Sequence, residues 1–314
     1  MFHKLTSERD LALKEGDTKK VKSCEESLEE MGGRPEYQRA SQLSTSFHST
    51  SKWVLGHLAN NGWLYGIKTN VDIKNSDSVA ASAKEKRERS KKRRTTKILE
   101  VGAINTELLD AAGLVASSSR EGKELDTKGS SSLLPSSSSQ KYDIHVRAID
   151  IHSMEERIEE ADFLEVPLVS PKDPTKRYDA IVCSMVLNCV TTPADRGKML
   201  ALIYHQLRPG GLCFFTIPKF CVTKSAFLTP NLFKKMLGKS GVGFDIKSTK
   251  ESPRVAFFIL ERPLVEERTT STTTRRLDPS FTKRIIRNKG KKFPNQFCVV
   301  LKAEHVFRTG PGKP

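Results

Sequence analysis

Apolar residues in this chain fall into short runs of strand length, separated by stretches with a helical period. The first run is Ile98, Leu99 and Val101, with Glu100 near its end. Apolar residues on successive positions fit a strand covered on both faces. Gly102 follows where the backbone must turn, and without a Cβ it lets another group approach the main chain closely. Asn105 or Thr106 can cap the helix that the side chains of Glu107 to Ala112 favour. A strand, a glycine turn and a helix N-terminus open an α/β fold of the doubly wound kind.

The pattern then repeats. Ile144, Val146, Ala148 and Ile149 predict a second strand, with Asp150 at its carboxyl end. A third strand is expected just before Asp162 and Phe163. Residues 178–188 read as a fourth strand and its exit loop. Pro193 opens a helix whose apolar stripe is Met199, Leu200, Leu202, Ile203 and Leu207. Arg208-Pro209-Gly210-Gly211 ends it, and residues 212–218 form a fifth strand. A short helix at 231–237, strands at 243–247 and 255–260, and a final strand at 295–301 complete the pattern. Up to seven of these would form one sheet, mostly parallel, with an antiparallel late pair. Upstream, residues 52–58 predict a helix that packs on this domain and stops at Asn60-Asn61-Gly62.

Composition changes the picture outside these runs. Only 37% of the 314 residues are hydrophobic, which predicts that a sizeable part of the chain is disordered. The division that follows is a flexible segment 1–30, holding at most a frayed helix, a helical extension 31–70 and a basic linker 71–96. The main domain is 97–302 and the tail 303–314. The domain carries a disordered Ser-rich insertion at 113–141 and a mobile, basic, phosphate-binding loop at 264–295. The net charge of +16 favours a polyanionic partner, nucleic acid ahead of an acidic membrane. The run of basic residues at 84–94 reads as an import address or a phosphate patch, with a solvated linker as the bland alternative. Six cysteines form no C-x-x-C pair, and no His cluster has metal spacing, so no disulfide framework and no metal are expected. The start of the chain has no signal-peptide pattern, and no apolar run approaches the ~20 residues of a membrane span.

The candidate chemistry lies at the strand ends. One glycine, Gly102, is a poor cradle for pyrophosphate, and S-adenosylmethionine (SAM), which has no diphosphate, fits better. Asp150 can accept from both ribose hydroxyls. Asp162 can accept from an adenine amine while Phe163 packs on the ring, although a loop acid beside a buried Phe is an equal reading. The order helix, Leu-Arg-Pro-Gly-Gly, strand marks a SAM-dependent methyltransferase domain. The exit loops carrying Ser184, Asn188, Pro218 and Phe220 are where a target base should dock. Asn188 and Phe220 are the catalytic candidates, with Phe220 either stacking on the base or filling a core. Tyr37 and Arg39 can reach a ligand pocket or serve surface packing. Cys183 or Cys221 as nucleophile for cytosine C5 chemistry is a rival reading.

At this point the chain resembles the fungal large-subunit (25S) ribosomal RNA adenine-N1 methyltransferases. The residues that carry the resemblance are Gly32-Gly33 to Ser41 with Tyr37-Gln38, residues 99–103, Asp150, the block 178–207 with Leu187-Asn188 and residues 196–200, and Cys221-Val222. It spans roughly residues 31–302, apart from the two low-complexity insertions. It implies a class I SAM-dependent methyltransferase fold, SAM as cofactor with Gly102 and Asp150 touching it, and large-subunit rRNA or a pre-ribosome as partner. It also implies a nucleolar site of action. After the fifth strand the family pattern resembles Pro-x-Pro-Cys-Val-x-Asn-Ser, and here Phe220 and Lys224 replace its second Pro and its Asn. Metazoan relatives look like SAM sensors, so a non-catalytic sensor is the alternative function.

Overall fold

Residues 2–30 fold as a helical hairpin rather than as one frayed helix. In this computed structural model, which describes residues 2–33, 36, 50–68, 93–113, 142–170, 173–264, 277–288, 290 and 292–307, helices α1 (Phe2–Glu15) and α2 (Thr18–Glu30) pack together. Gly16 turns the chain at φ +73°, and Asp17 caps α2 by accepting from the Lys20 amide at 3.1 Å. Ala12, Cys24 and Leu28 are the buried residues of the pair. The seam is thin because charged residues surround those few apolar ones, which is why the pattern read as frayed.

Helix α3 (Thr50–Asn60) follows, then a two-residue strand β1 (Ile67–Lys68) antiparallel to β2 (Arg93–Arg94). Strand β3 (Thr96–Val101) leads through the Gly102 turn into α4 (Glu107–Gly113), where Asn105 Oδ1 accepts from the Glu107 amide. Then come β4 (Ile144–Asp150), β5 (Glu159–Glu160) and β6 (Tyr178–Ser184). Helix α5 (Pro193–Gln206) is capped by Thr192 and leads to β7 (Leu207–Pro218), α6 (Lys219–Thr223) and α7 (Pro230–Leu237). Strands β8 (Asp245–Glu251) and β9 (Val255–Glu261) form a hairpin, and α8 (Ala303–Val306) ends the described chain.

Seven strands make one sheet in the order β5-β4-β3-β6-β7-β9-β8. The first five are parallel, and β9 is antiparallel to both β7 and β8. This is the mixed class I methyltransferase sheet that the strand pattern predicted. One member differs from expectation. Residues 295–301 do not join the sheet, while the third strand expected just before Asp162 is the short edge strand β5. The run at 297–301 is apolar because it is buried: Phe297, Cys298, Val299 and Leu301 all lie in the interior. It is pinned by other means. Ser225 Oγ donates to the Phe297 carbonyl at 2.6 Å, Arg196 donates to the Cys298 carbonyl at 2.9 Å, and a Cβ on Gly197 of α5 would lie 1.9 Å from the Val300 oxygen.

Alternate strand residues supply two cores. Leu99, Val101, Ile181, Cys183 and Phe215 face α5 and α7 on one side. Ile98, Ala180, Val182 and Phe214 face α3 and α4 on the other, with Val54 and Leu58 of α3 fully buried. Trp53 meets Phe214 and Phe257 edge-on, each at 5.4 Å. Helix α3 is therefore part of the domain, as its apolar face indicated.

The end of the basic run is structural. Arg94 clamps the buried Asp179 with bonds of 2.6 and 2.5 Å, and the same carboxylate accepts from the Lys97 amide at 2.9 Å. This fastens the β1–β2 ribbon to the start of β6. The rest of the run up to residue 92, the Ser-rich stretch 114–141 and residues 265–276 lie outside the described residues. Residues 277–288, expected to be mobile, pack instead: Phe281 is fully buried, and Ile286 and Arg287 donate their amides to the Ala226 carbonyl.

Candidate functional site

The carboxyl ends of β5, β4, β3, β6 and β7 stand side by side along one sheet edge. They deliver, in that order, Asp162, Asp150, Gly102, the loop from Ser184 to Asn188, and Pro218 to Phe220. Between β3 and β6 the strand order reverses direction, which is where open α/β sheets bind ligands.

Gly102 has φ +72°, a conformation that suits glycine. Its amide and that of Ala103 both donate to the Ile149 carbonyl, at 2.8 and 3.0 Å, so the turn is stitched to the residue before Asp150. The space beside Gly102 belongs to the protein. A Cβ there would lie 2.3 Å from Val186 Cγ2, in the exit loop of β6. The glycine thus admits Val186, which the sequence did not reveal.

Asp150 is half-buried, and its Oδ1 accepts from the His152 amide at 2.9 Å. Its carbonyl accepts from the Ala161 amide, which brings Asp162 to the same edge. Asp162 Oδ1 accepts from the Leu164 amide at 2.8 Å. Phe163 is buried and belongs to the core cluster that also contains Leu99, Val101 and Ile149, which matches the buried-Phe alternative. A Phe beside an acid at a strand end has the same pattern whether it faces a ligand or the interior.

Two acceptors on this edge have no donor. Oε2 of Glu100, on β3, is sealed from solvent without a hydrogen-bond partner, and so is Oδ1 of Asn188. Burial, and secondarily the nearby Glu107, pushes the Glu100 carboxyl up to about 8. The Asn188 Nδ2 donates to Cys189 Sγ at 3.3 Å. The loop that carries Asn188 is strained, with Met185 at φ +60°. Ser184 is bonded to Thr50 of α3 and to Thr216 of β7, at 3.0 and 2.9 Å, so its hydroxyl ties α3 to the sheet. Phe220 is 49% exposed on α6, which removes the core alternative and leaves its ring open to a ligand.

The cysteine rival fails on burial. Cys183 is fully enclosed and its thiol is pushed up to about 12, while Cys221 is pushed up to about 11. Neither gives a thiolate near neutral pH. Among the described residues no group of three His, Cys, Asp or Glu side chains is placed to hold a metal, and no helix is long and apolar enough to cross a membrane. Tyr37 and Arg39 lie outside the described residues. The hairpin α1–α2 reaches this edge too: with His152 it lines a cavity of about 360 Å³ that includes Arg9, Glu25 and Leu28.

The family model described as 25S rRNA (adenine(2142)-N(1))-methyltransferase, Bmt2, matches residues 114–299. Asp150, Asp162, Phe163, Asn188 and Phe220 lie inside that stretch, and Gly102 lies before it. The Saccharomyces cerevisiae protein named 25S rRNA (adenine(2142)-N(1))-methyltransferase is 31% identical over 157 residues, which is 50% of this chain. The match takes in 42% of the yeast protein's length. Among solved structures, an S-adenosylmethionine-dependent methyltransferase from Mesorhizobium loti is 13% identical, with 54% of this chain and 92% of that one covered and a TM-score of 0.36. The N-methyltransferase NodS from Bradyrhizobium japonicum WM9 is 11% identical, with 55% of this chain and 80% of that one covered and a TM-score of 0.33. The fold assignment rests on the strand order and register given above.

Proposed function

We propose, since this chain belongs to the Bmt2 family of 25S rRNA (adenine(2142)-N(1))-methyltransferases, that it methylates N1 of an adenine in large-subunit ribosomal RNA with SAM as donor. The observation that carries the reading is the edge itself. Asp162, Asp150 and the Gly102 turn sit on neighbouring strand ends, beside two sealed acceptors that lack donors.

The residues present suit such a cofactor. Its ribose hydroxyls, adenine amine and ammonium are donors, and this edge is rich in acceptors. Asp150 would take the ribose diol and Asp162 the adenine amine, and Glu100, once ionised, would balance the charge of the cationic methionine end. When bound, SAM supplies an activated methyl group on a sulfonium, so the protein has mainly to align the acceptor. Neutral adenine offers a lone pair at N1, and no covalent nucleophile is required, which agrees with the buried thiols. N1 lies on the pairing edge, so the base must be unpaired or flipped out to reach the site. Phe220 offers a ring on which it can stack. A nucleolar location follows from this substrate, and the basic residues at 84–92 support it.

The test is to incubate the protein with large-subunit rRNA and SAM carrying a labelled methyl group, then map N1-methyladenosine. Label on one adenine is expected. SAM binding without any methyl transfer would replace this reading with that of a sensor.

A further inference from the structure

The segment from 277 to 296 holds six basic residues and one acid. Its described part is fixed to the protein beside Phe220. The amide of Asn295 donates to the Lys224 carbonyl at 3.1 Å, and that of Ala226 donates to the Asn295 carbonyl at 3.0 Å. Arg287 is the clamp. Its guanidinium donates to the carbonyls of Thr223 and Leu228 at 2.8 and 3.1 Å, and it stacks on Phe293 at 4.6 Å. Thr223 is the last residue of α6, the helix that carries Phe220. The strap and Phe220 thus form one unit at the carboxyl end of β7.

What the strap leaves outward is unusual. Lys283, Arg284 and Lys292 are exposed, and between the first two and the clamp stand two consecutive isoleucines. Ile285 is 61% and Ile286 38% exposed, although the backbone here is held in place. Exposed aliphatic side chains framed by cations offer a phosphate chain charge on the flanks and apolar contact for bases between them.

From this we infer that the strap is a binding ledge for the unpaired RNA strand flanking the target adenine. Lys283, Arg284 and Lys292 hold its phosphates, and Ile285, Ile286 and Phe220 contact its unstacked bases. A duplex presents no bases to such a row, so the preferred partner is a single-stranded loop or bulge. The inference rests on the RNA substrate reading above and adds where that RNA lies.

The experiment measures binding of an unpaired large-subunit rRNA oligonucleotide by fluorescence anisotropy across a potassium chloride series. The proteins are the wild type, Lys283→Glu with Arg284→Glu, Lys292→Glu alone, and Ile285→Ser with Ile286→Ser. The double charge reversal should weaken binding about tenfold or more and lower the salt slope by about two, one per phosphate contact. Lys292→Glu should lower the slope by about one. The isoleucine pair should weaken binding at every salt concentration and leave the slope alone. SAM affinity, read by calorimetry, should be the same in all four proteins, which also reports that each is folded. Unchanged RNA affinity and slope in the charge variants, with normal wild-type binding, would overturn the ledge. A wild type with no salt-dependent RNA affinity would overturn the substrate reading itself.

Discussion

Val186 occupies the space that a side chain on Gly102 would need, its Cγ2 lying 2.3 Å from the would-be Cβ. The glycine turn after β3 and the exit loop of β6 are therefore fitted to each other. Gly102→Ala should destabilise the protein by at least about 1–2 kcal/mol from the left-handed backbone alone. The Val186 contact adds to that cost. Adding Val186→Ala removes the collision, so the double variant should be more stable than the sum of the two single losses predicts. Urea unfolding of the four proteins checks this, and strict additivity would contradict the contact.

Asp179 is buried and holds Arg94 and the Lys97 amide at once. Removing one partner of a buried pair strands the other, which typically costs about 3–5 kcal/mol. Arg94 keeps some solvent, so Asp179→Asn should cost about 3 kcal/mol. A thermal melt measures it. A loss within the range of ordinary surface substitutions, about 0.5 kcal/mol, would show that β1–β2 is not anchored there.

Glu100 gives stability a pH dependence. Its carboxyl lies at about 8 in the folded chain against an ordinary 4.5. The native state therefore holds a proton that the unfolded chain releases. The protonated form's contribution is complete below about 4.5 and is lost as pH rises to about 8, at up to about 1.4 kcal/mol per unit of separation. Glu100→Gln keeps the shape without the charge and should flatten that decline. Chemical denaturation between pH 5 and pH 9 compares the two proteins, and parallel curves would contradict the buried acid.

Cys183 and Cys221 are placed by packing. Cys183→Ala should leave methyl transfer unchanged and cost about 1 kcal/mol of stability. Loss of transfer in a folded Cys183→Ala protein would restore the nucleophile reading.

Much of this was legible in the pattern of side chains. The strands ending at Asp150 and Ser184 are apolar runs bounded by turn signals, and their carboxyl ends carry the candidate site. Pro193 marked the start of α5 because the cap and the first-turn proline are local features. Four things were not local. Phe163 has the same neighbours in sequence whether it faces a ligand or the core. Val299 reads as a strand residue because burial, rather than pairing, makes a run apolar. Val186 meets Gly102 only through the register of β3 against β6. The strap from 277 to 288 looked mobile because its composition is basic, whereas its fixation comes from Arg287 and from backbone bonds to Ala226, which composition does not carry.

The central claim is that the edge formed by Asp162, Asp150 and the Gly102 turn holds SAM. Calorimetric titration of SAM into the wild type and into Asp150→Ala tests it most directly. Loss of a charge-assisted pair of ribose bonds, about 1.5–3 kcal/mol, should weaken binding about ten- to a hundredfold in a protein that melts normally. Full SAM affinity in a folded Asp150→Ala protein would contradict it.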